Sequence, residues 1–128
     1  MTREPTQADF RLAVLNKVAE RREQIEKALA REHTEGWTFD HVFDSVAMNK
    51  TTFWWNDTSC AVVEVRHFPS GPVLHVFLGS GTLEGLLELY ETVANWGKSF
   101  GVTKGTTLGR KGFSKVLKQY GWTQPQAW

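Results

Sequence analysis

Three side chains on two neighbouring apolar runs could take a proton from an amine: Glu64 and His67 in CAVVEVRHF, and His75 in PVLHVFL. Just beyond them, Gly79, Ser80, Gly81 and Thr82 separate an apolar run from a helical one. Successive backbone N–H groups and a helix N-terminus at such a place can cradle a phosphate. Arg110 and Lys111, in a second glycine turn, could meet the phosphates of a nucleotide cofactor. Each group also has a plainer use. Glu64 lies in the alternating Val63-Glu64-Val65-Arg66 and reads as an outward carboxylate open to cross-strand pairing. Gly-Ser-Gly is what any tight strand-to-helix turn requires, and a basic cluster is more often a solvated helix face.

Other chemistries find less support. His33, His41, His67 and His75 show no metal-ligand spacing, and one cysteine cannot complete a thiolate site. Cys60 lies in SCAVVEV and reads as a small core residue rather than a reactive thiol. Ser70 and Ser80 lack a Gly-x-Ser-x-Gly setting. Trp54 and Trp55 are adjacent on a strand pattern and face opposite sides, so one is available to stack a base or anchor a protein interface.

The elements that would position these groups follow from periodicity. Phe10, Val14, Val18, Ile25 and Leu29 share one face of a helix over residues 6–31, opened by Thr6, with Arg21, Arg22, Glu23, Glu26 and Lys27 opposite. At 1.5 Å per residue it would reach roughly 39 Å, so it either breaks in two or projects to meet a partner. Thr38 opens a second, short helix through Phe39, Val42, Phe43 and Val46. Strands are predicted over 51–56, 60–67 and 73–78, joined by Asp57-Thr58-Ser59 and by a Pro-Ser-Gly-Pro hairpin, and connections this tight make them antiparallel. Thr82 caps a helix bearing Leu83, Leu86, Leu87, Tyr90, Val93 and Ala94, with Glu84 near its start and Lys98 at its end. Gly101 stops it, and a strand over 102–108 follows that should run parallel to the third. A last helix over 113–120 stops at Gly121. The fold class is α/β (α+β): a mixed, mainly antiparallel sheet of four or more strands, with an N-terminal helical segment, one crossover helix and a short C-terminal helix. One domain is expected over 1–128, its helical segment at 1–36 and its core at 38–122.

At 128 residues, with 41% hydrophobic and 23% charged, the chain can bury a core without disulfides or metal. Net charge is +1, but residues 1–64 carry −3 and residues 65–128 carry +4. The start, MTREPTQADF, has no apolar stretch flanked by basic residues, and no run approaches the roughly 18 apolar residues of a membrane helix. A soluble protein in a reducing, cytoplasmic setting is expected.

Antiparallel strands feeding a crossover helix, a parallel strand and a short helix ending Lys118-Gln119-Tyr120-Gly121-Trp122 resemble the GNAT acyltransferase superfamily, whose fourth helix often ends in Gly-Phe. PVLHVFLGSGTLEGLLEL followed by GRKGFSKVL is similar to small phage and prophage proteins with a GNAT-like fold and a Gly-Arg-x-Gly-aromatic signature. The resemblance spans residues 38–122. Working members carry an Arg or Gln followed by x-x-Gly-x-Gly or Ala after the strand matching 73–78, and bind coenzyme A's pyrophosphate there. The loop here, Gly79-Ser80-Gly81-Thr82, lacks the basic residue and several positions. The frequent acid is a Tyr four residues before the Gly of Gly-Phe; Leu117 stands there, and Tyr120 lies three residues further on, on another face.

The resemblance therefore implies two functions. The first is a phage- or prophage-type, non-catalytic protein acting as a virion-associated or assembly component, in the host cytoplasm or the virion. Its interface would use Trp54, Trp55, Phe10, Val14 and Val18, with other virion or assembly proteins as partners or self-association through the N-terminal helix, and without membrane, metal or nucleic acid. The second is an acetyl-CoA-dependent N-acetyltransferase. Amides near Gly79, Ser80, Gly81 and Thr82 would hold the pyrophosphate, Arg110 or Lys111 the adenosine phosphates, and Glu64 or His75 would be the base.

Overall fold

A computed structural model describes residues 7–32, 35–107 and 122–123. Helices α1 (Gln7–Glu20), α2 (Arg22–Glu32) and α3 (Phe39–Ala47) precede strands β1 (Thr52–Trp55), β2 (Cys60–Phe68) and β3 (Gly71–Ser80). Helix α4 (Leu83–Lys98) and strands β4 (Gly105–Thr107) and β5 (Trp122–Thr123) complete it. The sheet order is β1-β2-β3-β4-β5, antiparallel across the first two junctions and parallel across the last two. Thr6 and residues 113–120 lie outside the described residues.

The long helical pattern breaks at Arg21. Its N–H is shared between the carbonyls of Lys17 and Val18, at 3.1 and 3.2 Å. Its guanidinium donates to the Asn56 carbonyl and, at 3.3 Å, to that of Ser59. The turn between β1 and β2 thus holds the junction of α1 and α2. Helix α3 begins with a reciprocal cap in which Thr38 Oγ1 accepts from the His41 N–H and His41 Nδ1 accepts from the Thr38 N–H. The imidazole takes the place that Glu or Gln fills in a capping box.

Alternation along the strands sorts side chains into two cores. Phe53, Cys60, Val62 and Leu78 meet Val18, Ile25, Leu29 and Val42 from α1, α2 and α3. Ala61, Val63, Leu74 and Val76 meet Leu86, Leu89, Tyr90 and Val93 of α4. The alternation slips once: Val62 lies opposite Leu78 but Val63 opposite Val76, so Phe77 is an extra residue and β3 bulges there. The parallel strand is shorter than the 102–108 run suggests, because Val102 returns its N–H to the Gly97 carbonyl at 3.0 Å and still belongs to the end of α4.

Val18, expected on an interface, is fully buried in the first core and touches no solvent. Periodicity placed it on the correct face of the helix, but that face turns inward by its position.

Cys60 is also fully buried, and burial pushes its thiol up from 9.0 to about 11, with the Arg21 charge pulling the other way. The folded chain keeps this proton between pH 9 and 11 while the unfolded thiol releases it. Stability should therefore fall as pH rises through that window, by about 2–3 kcal/mol from this group. Urea midpoints at about pH 8 and 10.5 for wild type and Cys60→Ala test it: the variant should lose less on alkalinisation, and equal losses would show a thiol in contact with water.

Candidate functional site

The glycine turn after β3 is built as a strand-to-helix junction. Thr82 is the N-cap of α4, its Oγ1 accepting the Gly85 N–H at 3.1 Å while its carbonyl accepts from Leu86. The space the glycines leave is filled by the protein itself. A Cβ on Gly79 would lie 2.3 Å from Tyr90 Oη. On Gly81, at φ +124°, it would lie 2.3 Å from Ser59 Oγ and 2.4 Å from the Thr58 carbonyl. On Gly85 it would meet the Ser59 and Thr58 hydroxyls, each at 2.3 Å. Thr58 Oγ1 also lies 3.1 Å from Thr82 Oγ1, and Ser80 is buried. Gly79, Ser80, Gly81 and Thr82 thus close against the turn between β1 and β2 and against Tyr90 of α4.

The strand-borne bases separate by environment. His75 is 2% exposed, with Nδ1 2.7 Å from Thr106 Oγ1 on β4. Glu64 stands directly opposite it on β2. Its carboxylate is half-buried and accepts from Arg66 Nε at 3.2 Å, so its ion pair runs along the strand rather than across it. His67 is exposed. Beside His75, β4 pairs with β3 at Leu74, His75 and Val76. Past that pairing, the Phe77 ring lies against Trp37, centroids 4.9 Å apart. Tyr120, Leu117, Arg110 and Lys111 lie outside the described residues. Among the described residues no group of three His, Cys, Asp or Glu could hold a metal ion.

A different set of predicted residues converges. Phe10 and Val14 of α1 line an open groove of about 480 Å³ together with all four residues of β1, Trp54 and Trp55 among them. Val46 and Ala47 of α3 line it too. As alternation requires, the two indoles diverge. Trp55 stacks on Phe53 at 5.8 Å, whereas Trp54 turns to the α4 side, 5.3 Å from Trp96, with its N–H donated to Thr52 Oγ1 at 2.8 Å. Among the described residues lining the groove Arg11 alone carries a charge, and its guanidinium donates to the Ala47 carbonyl, tying α1 to the end of α3. Phe10 is 62% exposed.

No protein-family model and no curated protein matches the chain. Among solved structures, wild-type TTHA1254 from Thermus thermophilus is similar over 85% of this chain and 87% of its own, with a TM-score of 0.56 and 12% identity. The likeness is one of fold. No helix of the described residues is long and apolar enough to cross a membrane.

Two working parts went unread in the sequence. Arg11 belongs to the charged pattern of α1, and only the tertiary approach of Ala47 gives it a role. Asn56 joins the turn to α4 through an N–H donated from Nδ2 to the Gly85 carbonyl at 2.9 Å. Its position just before Asp57-Thr58-Ser59, where Asn commonly caps the backbone ahead of it, was the available signal.

Proposed function

We propose that this chain is a non-catalytic GNAT-like protein acting as an assembly component, through protein–protein contacts at the groove between α1 and β1. The observation that carries this reading is that Phe10 and Val14 of α1 and Trp54 and Trp55 of β1 line one open and nearly uncharged groove, Trp55 with its indole on the helical side and Trp54 along the strand. Aromatic residues on a concave apolar surface are the usual anchors of a protein contact. The phage or prophage setting, with a place in the virion or its assembly, rests on the resemblance carried by PVLHVFLGSGTLEGLLEL and GRKGFSKVL.

The filled turn supports the same reading. The space a Cβ would take at Gly81 and Gly85 is already held by the Thr58 and Ser59 hydroxyls, so these glycines serve the close packing of the turn. Calorimetric titration with coenzyme A and acetyl-CoA is the direct test, and no binding heat is expected up to about 1 mM ligand, a Kd weaker than about −4 kcal/mol of binding free energy. Micromolar binding would overturn the proposal and favour the N-acetyltransferase, with His75 or Glu64 as base. Wild type is the sample to use, because a substitution at Gly81 disturbs the fold before it reports on a ligand.

A further inference from the structure

The open side of the groove is the outer edge of β1, and its backbone specifies what fits there. Asn56 donates its N–H to the Ser59 carbonyl at 2.9 Å. β1 then pairs with β2 without interruption, from Trp55 opposite Cys60 to Thr52 opposite Val63. Antiparallel pairing alternates inward and outward residues, so Trp54 and Thr52 share the inward sense of Asn56, and Phe53 and Trp55 aim their N–H and C=O groups away from the sheet. β1 ends the strand order among the described residues. All four of its residues line the groove although their side chains alternate between faces. The cavity therefore runs along the edge rather than over one face.

Sheet edges are ordinarily protected from pairing by a short strand, a helix or loop laid over them, a lysine, a proline or a bulge; β1 is short and α1 lines the groove beside it. Thr52, Phe53, Trp54 and Trp55 include no such residue, and their register with β2 has no bulge. Two hydrogen-bonding residues thus face an apolar groove with no lysine, proline or bulge in the strand to turn a partner away.

We propose that the occupant is β1 of a second copy of this chain, added antiparallel about a two-fold axis at Trp54 so that two sheets join edge to edge. This rests on the reading of the groove as a protein-contact surface. The outward residues then match: Phe53, its ring buried in its own core, lies opposite the partner's Trp55, which is half-buried, and Trp55 opposite the partner's Phe53, so each Trp55 indole covers the edge beside the partner's Phe53. Charge selects the direction. Exposed Lys50 precedes the strand and exposed Asp57 follows it, so antiparallel pairing brings Lys50 beside the partner's Asp57 at both ends. Parallel pairing would set like charge against like. Four edge residues and one helix wall form a small contact, which belongs to the weak, concentration-dependent class.

The test combines sedimentation velocity of the full chain from about 10 μM to 1 mM with amide hydrogen exchange over the same range. Dimers should form as concentration rises, and exchange at Phe53 and Trp55 should slow about tenfold or more while Trp54, already bonded to β2, stays constant. Lys50→Asp or Asp57→Lys should each weaken the dimer about tenfold, since two attractive approaches become repulsive, and the double swap should restore it. Both positions are exposed, so folding is not at issue. A monomer at about 1 mM, unchanged exchange at Phe53 and Trp55, or a double swap that fails to restore pairing would each overturn the proposal. If that happens while coenzyme A still gives no heat, the groove keeps its role and only the second copy falls. If coenzyme A binds but the exchange pattern appears, the assembly reading falls and the strand pairing stands.

Discussion

Gly81→Ala is expected to lower stability by about 3 kcal/mol or more, a sum of left-handed backbone strain and overpacking. At φ +124° an added Cβ is strained in any surroundings. Here it would also meet the Thr58 carbonyl at 2.4 Å and Ser59 Cα at 2.6 Å, backbone atoms of a turn that Arg21, Gln24 and Asn56 hold in place. Neither neighbour is the free end of a side chain. Gly101→Ala supplies the control, because Gly101 has φ +90° but nothing within 4 Å of its Cβ position. It should cost about 1 kcal/mol from backbone strain alone. Denaturant midpoints of the two variants measure the difference. Equal losses would mean that the turn gives way to a methyl group, and so has room for an anion, which would revive the coenzyme A reading.

The same turn shows why part of this architecture was legible and part was not. β1, β2 and β3 follow from β-branched and aromatic alternation, and the two-residue link Pro69-Ser70 fixes the sense of β2 and β3, because both signals are local. Thr82 was readable as a cap for the same reason, its acceptor lying three residues from its donor. A break somewhere in the long first helix was one of the two outcomes its length allowed, but its position at Arg21 was not readable, since apolar periodicity runs on through it and its cause lies 35 and 38 residues away, at the Asn56 and Ser59 carbonyls. Nor was the bulge at Phe77, because Val76, Phe77 and Leu78 are all apolar and the slip leaves no mark on hydropathy. At the groove, alternation separated Trp54 from Trp55, but helical periodicity could not tell core from partner. Phe10, Val14 and Val18 share one face, yet they run from 62% exposed through half-buried to fully buried as α1 descends onto α3.

Asn56→Ala should produce the second large loss, about 2–4 kcal/mol, because one side chain satisfies groups on both sides of the sheet's first turn. Oδ1 accepts the Ser59 N–H at 2.9 Å and the Thr58 N–H at 3.2 Å, and Ser59 is fully buried. Truncation leaves that buried N–H without its acceptor, the costly side of the hydrogen-bond asymmetry. It also removes the Nδ2 donor to the Gly85 carbonyl, and with it the bond between the turn and the first turn of α4. Asn56→Asp separates the two effects, since it keeps the acceptor for Thr58 and Ser59 but loses the donor, so it should cost only about 1–2 kcal/mol. Urea unfolding followed by tryptophan fluorescence measures both variants. If Ala costs no more than Asp, the Oδ1 bonds do not hold the turn. The crowding at Gly81 and Gly85 would then follow from the approach of α4 alone, and the contrast between Gly81 and Gly101 should shrink in an Asn56→Ala background.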